Sequence, residues 1–260
     1  MRRCANPKIS IVIPARNEAR NLEVILPELP EVDEVVLVDG HSVDQTVEVA
    51  HKVLPSIVTL TQTRRGKGNA LACGFEAAGG DIVVMFDADG SADPAEIPAF
   101  VETLVRGADF AKGSRFRRHG GSDDITALRR AGNATLNKLA NVLYRTSFTD
   151  LCYGYNAFWR DIVPQLRLPP TLATAPAAGG FWGDGFEIET VLSCRVVAAG
   201  LEVAEVPSFE RPRIYGETNL RTFADGARIL RTIVAERRRY RARMKPDPSE
   251  TGDIAAQEIA

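Results

Sequence analysis

Short apolar runs rich in β-branched residues alternate with helix-like segments through the first half of the chain. The runs are residues 8–13, 34–39, 57–61, 81–87 and 110–114, and a further one lies at 201–206. Alternation of this kind favours a sheet whose neighbouring strands run parallel, because each helix carries the chain back to the same edge. The pattern predicts an α/β fold with a mostly parallel sheet flanked by helices on both faces.

Two carboxylates follow the most apolar of these runs. Residues 81–87 end in Asp87, and Asp89 follows after Ala88, just before Gly90 allows the chain to turn. Open α/β sheets bind ligands at the edge where the strands end. Two acids on alternate positions suit a hard divalent cation that also holds phosphate oxygens. The motif therefore predicts a metal and phosphate site, although a pair of solvated loop acids would explain it if it stood alone.

Composition narrows the class of protein. The chain has 260 residues, of which 45% are hydrophobic and 25% charged, and its net charge of −2 argues against nucleic acid as the main partner. Its four cysteines lie far apart without CxxC spacing, which predicts neither disulfides nor a zinc site and fits a reducing compartment. No run approaches the roughly 20 apolar residues that cross a bilayer, and no signal peptide is evident. We expect a cytoplasmic protein whose membrane contact is at most peripheral.

The second half of the chain is less regular. Residues 126–145 carry apolar residues at helical spacing with basic residues between them, which predicts a basic amphipathic helix. Residues 164–183 are rich in Pro, Ala and Gly and predict a loop, and residues 186–199 predict a helix. Residues 228–245 predict a second, strongly basic helix.

Polar residues occupy the turns after the first strands, where a nucleotide could bind. The candidates are Asn17 and Glu18, together with the main chain of Pro14 and Ala15, after the first strand, Asp39 after the second and Lys67 after the third. Asp39 could accept from a base N–H, Glu18 could bind ribose hydroxyls, and Lys67 could reach a phosphate together with the following helix N-terminus. Each has a simpler interpretation: a helix cap for Asn17, a turn residue for Asp39 and a solvated charge for Lys67.

Helix-start signals lie close to the same turns. Asn17 or Asn21 is predicted to cap the helix that follows the first strand. Ser42 and Gln45 have the spacing of a capping box ahead of the next helix, residues 46–54.

Taken in order, four motifs resemble those of family 2 glycosyltransferases with the GT-A fold. They are residues 11–18 (IVIPARNE), 38–40 (VDG), 66–71 (GKGNAL) and 87–89 (DAD). The chain is most similar to the dolichol-phosphate and polyprenyl-phosphate sugar synthases, through Gly113-Ser114-Arg115, Arg129, Asn141 and the segment 213–218 (RIYGET). The resemblance implies a GT-A, Rossmann-like sheet in a single catalytic domain over residues 1–225. The basic helix would then occupy residues 226–245 and a disordered tail residues 246–260.

The resemblance also implies the chemistry. The donor would be a nucleoside diphosphate sugar of the GDP-mannose or UDP-glucose type, transferred with inversion. Its binding residues would be Pro14, Ala15, Asn17, Glu18, Asp39, Lys67, Asp87, Ala88, Asp89 and Arg115. Mg²⁺ or Mn²⁺ would be held by Asp87, Asp89 and Ser91, and Arg129 and Arg213 would assist catalysis.

Two positions depart from the polyprenyl-phosphate synthases. Those enzymes usually carry a Gln where this chain has Ser91, and a hydroxyl is a weaker metal ligand. They also tend to have Gly-Phe-Arg where this chain has Gly154-Tyr155-Asn156, so a guanidinium that would read phosphate is missing.

The segment 183–189 (GDGFEIE) is where a general base is expected. Asp184 and Glu187 are the candidates if the acceptor is a hydroxyl, whereas a phosphate acceptor is already an anion and needs no base. Asp184 has an equally weighted alternative, the N-cap of the helix 186–199, with Glu187 in its first turn.

Several functions are compatible with these patterns. The first is hexosyl transfer to polyprenyl phosphate, with the two basic helices lying on an anionic membrane surface, although solvated charged faces would explain those helices equally well. The second is the same chemistry on a soluble acceptor. A sugar nucleotidyltransferase is remote, because its Gly-rich, Lys-bearing first turn is missing from residues 14–18. A binder without catalytic activity is disfavoured by the metal acids.

Overall fold

A seven-stranded sheet forms the centre of the molecule. The computed structural model describes residues 4–174, 181–216 and 222–243. The strands are β1 (Ile9–Ala15), β2 (Glu34–Asp39), β3 (Val58–Thr61), β4 (Ile82–Met85), β5 (Phe110–Ser114), β6 (Gly121–Ser122), β7 (Asn156–Trp159), β8 (Val203–Pro207) and β9 (Phe209–Glu210). The large sheet has the order β3-β2-β1-β4-β7-β5-β8, and β6 pairs with β9 separately.

The sheet is mostly parallel, as predicted. β1 pairs in parallel with β2 and β4, β2 with β3, and β5 with β8. The exception is β7, which lies antiparallel between β4 and β5. β7 was not predicted, because its four residues, three of them apolar, are too short a run to separate a buried strand from a buried helix segment.

Eight helices cover the sheet within the described part of the chain. They are α1 (Ala19–Ile25), α2 (Thr46–Val53), α3 (Lys67–Ala77), α4 (Ile97–Val105), α5 (Ala127–Tyr144), α6 (Val163–Leu166), α7 (Ile188–Ala198) and α8 (Thr222–Arg243). The predicted loop 164–183 contains the end of α6, and its residues 175–180 lie outside the described residues. The basic helix begins at Thr222 rather than 228, and the predicted tail 246–260 also lies outside them.

The main core lies where helices meet the central strands. Ile11, Val12, Val36, Leu37 and Val84 are fully buried, which explains why the strand sequences read as continuous apolar runs. A second, smaller cluster joins α5, α7 and α8, and it includes Tyr144, Leu151, Cys194 and Ile233. None of the helices in the described parts of the chain has the length and apolarity that a bilayer span requires.

The predicted capping interactions are wrong. α1 has Glu18 at its N-cap without a side-chain cap bond, and α2 has Gln45 there, also without one. Asn17 instead accepts from Val43 N at 2.8 Å, while the Ser42 hydroxyl accepts from Asn17 N at 2.9 Å. These side chains connect the turn after β1 to the turn after β2, since the two turns are neighbours in the sheet.

Gly74 is required by the contact of α3 with β1. A Cβ at Gly74 would lie 2.2 Å from Val12 Cγ1, whereas one at Gly132 in α5 would meet nothing within 4 Å. We expect Gly74→Ala to lower the free energy of unfolding by about 2 kcal/mol through overpacking. Gly132→Ala should raise it by about 0.8 kcal/mol, the gain in helix propensity. Urea unfolding of both variants checks this, and equal stability of Gly74→Ala and the wild type would contradict it.

Candidate active site

The carboxyl ends of β1, β2 and β4 lie side by side. Ala15 is paired with Asp39 across β1 and β2, and Val12 with Met85 across β1 and β4. The turns that follow these strands therefore meet at one edge of the sheet. The structure brings Pro14, Ala15, Asn17, Glu18, Asp39, Asp87, Ala88 and Asp89 to this edge, as the sequence analysis expected from the parallel topology.

Asp39 shapes the turn after β2. Its two carboxylate oxygens accept from Ser42 N at 3.2 and 3.3 Å. Gly40 N donates to Ala15 O at 2.7 Å, and a Cβ at Gly40 would lie 3.0 Å from Arg16 Cβ. The close approach of the two turns thus depends on Gly40. Asp39 has the turn role considered from the sequence, and base recognition stays a prediction for it.

Lys67 is the central cation of the edge. Its ammonium lies 2.7 Å from Asp87 Oδ1 and 2.7 Å from Glu189 Oε1, and its side chain is 16% exposed. Burial acts to lower the pKa of Lys67, but the adjacent Asp87 and Glu189 carboxylates outweigh burial and hold it above its ordinary value. Lys67 is therefore not a solvated surface charge, and it joins the end of β4 to the first turn of α7.

The donor atoms at the DxD turn fit a magnesium-type ion. Asp87 and Asp89 keep 33% and 27% of their side chains exposed. No cluster of three or more His, Cys, Asp or Glu that could enclose a metal occurs among the described residues. Mg²⁺ is commonly held by one or two carboxylates, with substrate phosphates and water completing the shell. Ser91 enters this turn through its main chain, with N donating to Asp89 Oδ1 at 3.0 Å. Its hydroxyl as a ligand stays a prediction.

The segment 211–216 lies across the DxD turn. Ile214 N donates to Asp89 O at 3.1 Å and Arg211 N to Ser91 O at 2.8 Å. Arg213 donates to both carboxylate oxygens of Glu18, and its Nη1 lies 3.5 Å from Asp89 Oδ2. Arg213 therefore joins the turn after β1 to Asp89 of the DxD turn, and its catalytic role stays a prediction.

Asn21 also contacts this segment rather than capping α1. Its Oδ1 accepts from Tyr215 N at 2.9 Å, and its Nδ2 donates to Tyr215 O at 3.2 Å and to Glu18 Oε2. The side chain thereby supports the carboxylate of Glu18 from the helix side.

Arg115 does not lie open to the cleft. Its guanidinium donates to Asp150 at 2.7 and 3.0 Å and to both oxygens of Glu210 at 3.0 Å. Burial acts to lower the pKa of Arg115, but these two acids hold it above its ordinary value. The geometry is that of a structural ion-pair network, so the prediction that Arg115 binds the donor is not supported by its placement. Arg129 lies at the start of α5 and pairs with Asp124 at 3.5 Å.

Asp184 is enclosed by hydrogen-bond donors. Arg64 donates to its two oxygens at 2.8 and 2.9 Å, Phe181 N donates at 3.0 Å, and the Asp184 side chain is 5% exposed. α7 begins at Ile188 with Glu187 at its N-cap, so the prediction that Asp184 caps a helix starting at 186 is wrong. A carboxylate paired in this way is poorly placed to accept a proton from a substrate.

Glu187 is bound to main-chain donors. It accepts from Gly183 N at 3.1 Å and from Gly185 N at 3.3 Å. The side chain thereby closes the turn that leads into α7.

The segment 181–187 also covers the start of α3. The Asp184 carbonyl accepts from Gly68 N at 2.8 Å and Asn69 N at 3.2 Å. A Cβ at Gly68 would lie only 1.8 Å from Gly183 O. The predicted phosphate contact with this helix N-terminus is therefore wrong, because a carbonyl already occupies its N–H groups.

Sequence reasoning missed three charged residues of this region. Glu189 lies inside the segment searched for a base, but only the folded chain shows that it pairs with Lys67. Arg64 is adjacent to the GKGNAL motif, and Asp150 opens the Gly154 segment. For these two residues the sequence held no signal beyond proximity to a motif, since their partners Asp184 and Arg115 are distant in the chain.

Comparison with known proteins identifies the family. The model of glycosyl transferase family 2 matches residues 10–167. The chain belongs to glycosyl transferase family 2. Its metal-acid motif and its β1 and β2 turns lie within the matched region, which agrees with the resemblance drawn from the sequence.

Three curated relatives of this family 2 chain come from archaea. Glycosyltransferase AglJ of Haloferax volcanii is 29% identical over 85% of this chain and 69% of its own length. The low-salt glycan biosynthesis hexosyltransferase Agl6 of the same organism is 30% identical, over 88% of this chain and 53% of its own. The dolichol-phosphate mannosyltransferase of Pyrococcus furiosus is 27% identical over 82% of this chain and 59% of its own length. The chain thus spans between about half and about two thirds of the length of these relatives.

Solved structures confirm the GT-A fold. Glucosyl-3-phosphoglycerate synthase from Mycobacterium tuberculosis, solved with Mn²⁺, UDP-glucose and phosphoglyceric acid, has a TM-score of 0.67. It is 22% identical, and the match covers 94% of this chain and 82% of the enzyme's chain. A complex of the same enzyme with Mg²⁺ and UDP has a TM-score of 0.64 at 21% identity. The match covers 94% of this chain and 82% of the enzyme's chain.

The Arg64–Asp184 pair provides a stability test. Because both side chains are buried, we expect Asp184→Asn to lower the free energy of unfolding by about 3 kcal/mol, through the uncompensated guanidinium. Asp124→Asn, which breaks the exposed pair with Arg129, should cost less than about 0.5 kcal/mol. Chemical denaturation measures both, and a neutral Asp184→Asn would contradict the structural role.

Proposed function

We propose that this chain is an inverting hexosyltransferase that uses a nucleoside diphosphate sugar and Mg²⁺ or Mn²⁺, with polyprenyl phosphate as its acceptor. The observation that carries the proposal is the pair of partly exposed acids, Asp87 and Asp89, at the carboxyl edge of the sheet. Lys67 lies on one side of the pair and Arg213 on the other. Family membership and the dolichol-phosphate mannosyltransferase relative support the same reaction class.

The donor would lie with its diphosphate at the DxD turn. A divalent ion held by Asp87 and Asp89 would offset the charge that develops on the leaving diphosphate. Arg213 and Lys67 are the flanking cations, and each is already held in place by a carboxylate. The turns carrying Asn17, Glu18 and Asp39 would receive the nucleoside, of the GDP-mannose or UDP-glucose type.

The acceptor assignment rests on the carboxylates near the expected base position. Asp184 is bound by Arg64, Glu187 by the Gly183 and Gly185 amides, and Glu189 by Lys67. A hydroxyl acceptor needs a free base, whereas a phosphate oxygen attacks as the anion that it already is. The contacts of Asp184 and Glu189 therefore support a phosphate monoester as the nucleophile, and Glu187, which is contacted only at Oε1, stays the predicted base for a hydroxyl acceptor.

A soluble acceptor is the second candidate. Asn156 stands where polyprenyl-phosphate synthases tend to carry an arginine. The structural neighbour from Mycobacterium tuberculosis was solved with phosphoglyceric acid, a small phosphorylated molecule. This alternative keeps the donor chemistry and changes only the acceptor side.

We also propose a cytoplasmic location with peripheral contact to an anionic membrane. Arg231 and Arg238 on α8 and Lys138 on α5 are exposed, together with the apolar Leu128 and Val142. Another cation of α8, Arg239, is 44% exposed and pairs with the buried Glu236, which also accepts from Arg195 of α7. The basic composition of α8 thus serves helix packing as well as any surface charge.

Product analysis tests the proposal. The purified protein is incubated with Mn²⁺, a panel of UDP- and GDP-sugars, and either undecaprenyl phosphate or phosphoglyceric acid; products are identified by mass spectrometry and their anomeric configuration by NMR. A lipid-linked hexose of inverted anomeric configuration supports the first acceptor, and a glycosylated phosphoglycerate supports the second. Failure to consume any donor would overturn the proposal.

The metal acids are tested by substitution. We expect Asp89→Asn to lower kcat by about 100-fold or more, because charge stabilisation of the leaving diphosphate is weakened. Glu102→Gln, which breaks the exposed pair with Arg106 on α4, is the matched control and should retain wild-type turnover. EDTA should abolish turnover in the wild type and added Mn²⁺ should restore it. Full activity of Asp89→Asn would remove this motif from the mechanism.

A further inference from the structure

Lys112 is a fully buried lysine on β5 that the proposed reaction does not use. Its relative exposure is 0%. The ammonium donates to Tyr153 O at 3.1 Å and to Asn156 Oδ1 at 3.4 Å. Within the described residues no carboxylate lies within ion-pair distance of it. A buried ammonium normally has a counter-ion. A buried lysine without one is costly to the fold, which points to a specific role for Lys112.

The groups that Lys112 contacts belong to one turn. Asn156 is its direct neighbour across the β5–β7 pairing. The Asn156 amide in turn donates to Gly154 O at 3.0 Å and to Tyr153 O at 3.3 Å. Lys112 and Asn156 therefore converge on the carbonyls of residues 153 and 154, and together they determine the path of the main chain there.

That turn forms the wall behind the charged centre of the site. A Cβ at Gly154 would lie 3.2 Å from Asp87 Oδ2, 3.3 Å from Glu189 Oε1 and 3.3 Å from Lys67 Nζ. Gly154 thus lies beside all three members of the cluster, with little room for a side chain between them. A small displacement of this turn would therefore change the distance between the carboxylates of Asp87 and Glu189.

The electrostatic setting supports the same role. Burial lowers the pKa of Lys112, while the more distant Asp150, Cys152, Glu205 and Glu189 act to raise it. Acidic groups therefore lie around Lys112 at a distance. Hydrogen bonds to the Tyr153 carbonyl and to Asn156 Oδ1, rather than an ion pair, hold its ammonium.

We propose that Lys112 is a positioning residue for the metal and diphosphate site. It acts through the Tyr153–Asn156 turn, which keeps Asp87 and Glu189 at the separation set by Lys67. The inference rests on the proposed function, because it assigns Lys112 to the same Asp87 and Asp89 site.

Nucleotide binding tests the proposal without the acceptor. Calorimetry measures the affinity of the full chain for UDP and for GDP, with and without Mn²⁺. In Lys112→Met the affinity in the presence of Mn²⁺ should fall about tenfold, as for the loss of other groups that orient metal ligands. The affinity without Mn²⁺ should change little, because Lys112 does not contact the nucleotide edge directly. Phe110→Leu is the control: it removes buried volume from the same strand, next to Phe158, and should keep the Mn²⁺-dependent affinity.

Three outcomes separate the inference from the function. If the wild type binds neither nucleotide with Mn²⁺, the proposed function is overturned and this inference with it. If the wild type binds and a folded Lys112→Met binds equally well, only the role of Lys112 is overturned. Where Lys112→Met does not fold, Asn156→Ala decides, since it keeps the ammonium and removes the amide that joins it to Gly154. Loss of Mn²⁺-dependent affinity in that variant supports the proposal, and unchanged affinity overturns it.

Discussion

The ammonium of Lys67 between Asp87 and Glu189 is the contact on which the rest of the site depends. It brings together the end of β4, the start of α3 and the first turn of α7, which are separated by up to 122 residues of chain. Two carboxylates this close to one another in a partly buried edge would repel without a cation. Lys67 supplies that cation from the protein itself, so the acids are arranged before any ligand arrives.

Close approach of backbones makes this arrangement possible. Gly68 and Gly66 leave room for the carbonyls of Gly183 and Asp184 against the start of α3, and Gly154 leaves room beside Asp87. A side chain at any of these positions would separate the elements that carry the charges. The buried pair of Arg64 and Asp184 then locks the 181–187 segment onto α3. The glycines of the GKGNAL motif therefore serve packing between elements and not a free phosphate-binding helix end.

Hydrogen-bond partners and exposure distinguish the charged side chains that stabilise the fold from those that are candidates for ligand binding. Arg115 and Asp184 have their hydrogen-bonding capacity taken up by protein groups, although each was a site prediction, whereas Glu187 accepts through Oε1 alone. Asp87, Asp89 and Arg213 keep part of their side chains exposed at the edge of the sheet. The same residue types thus serve both purposes in one region, and the geometry of their partners decides which.

The sequence by itself determined the fold class and the location of the site. Buried parallel strands need apolar side chains on both faces, so β1, β2 and β4 are visible as unbroken runs, and the polar turns after them must meet at one edge. The DxD motif and the β1 turn therefore lie at the same edge of the sheet, and their role as a ligand site stays a prediction. Only the tertiary structure decided the pairings of Lys67 with Glu189, Arg64 with Asp184 and Arg115 with Asp150, and the antiparallel insertion of β7. Those contacts join residues 35 to 122 positions apart, and local pattern carries no information about which distant charges become neighbours once the chain is folded.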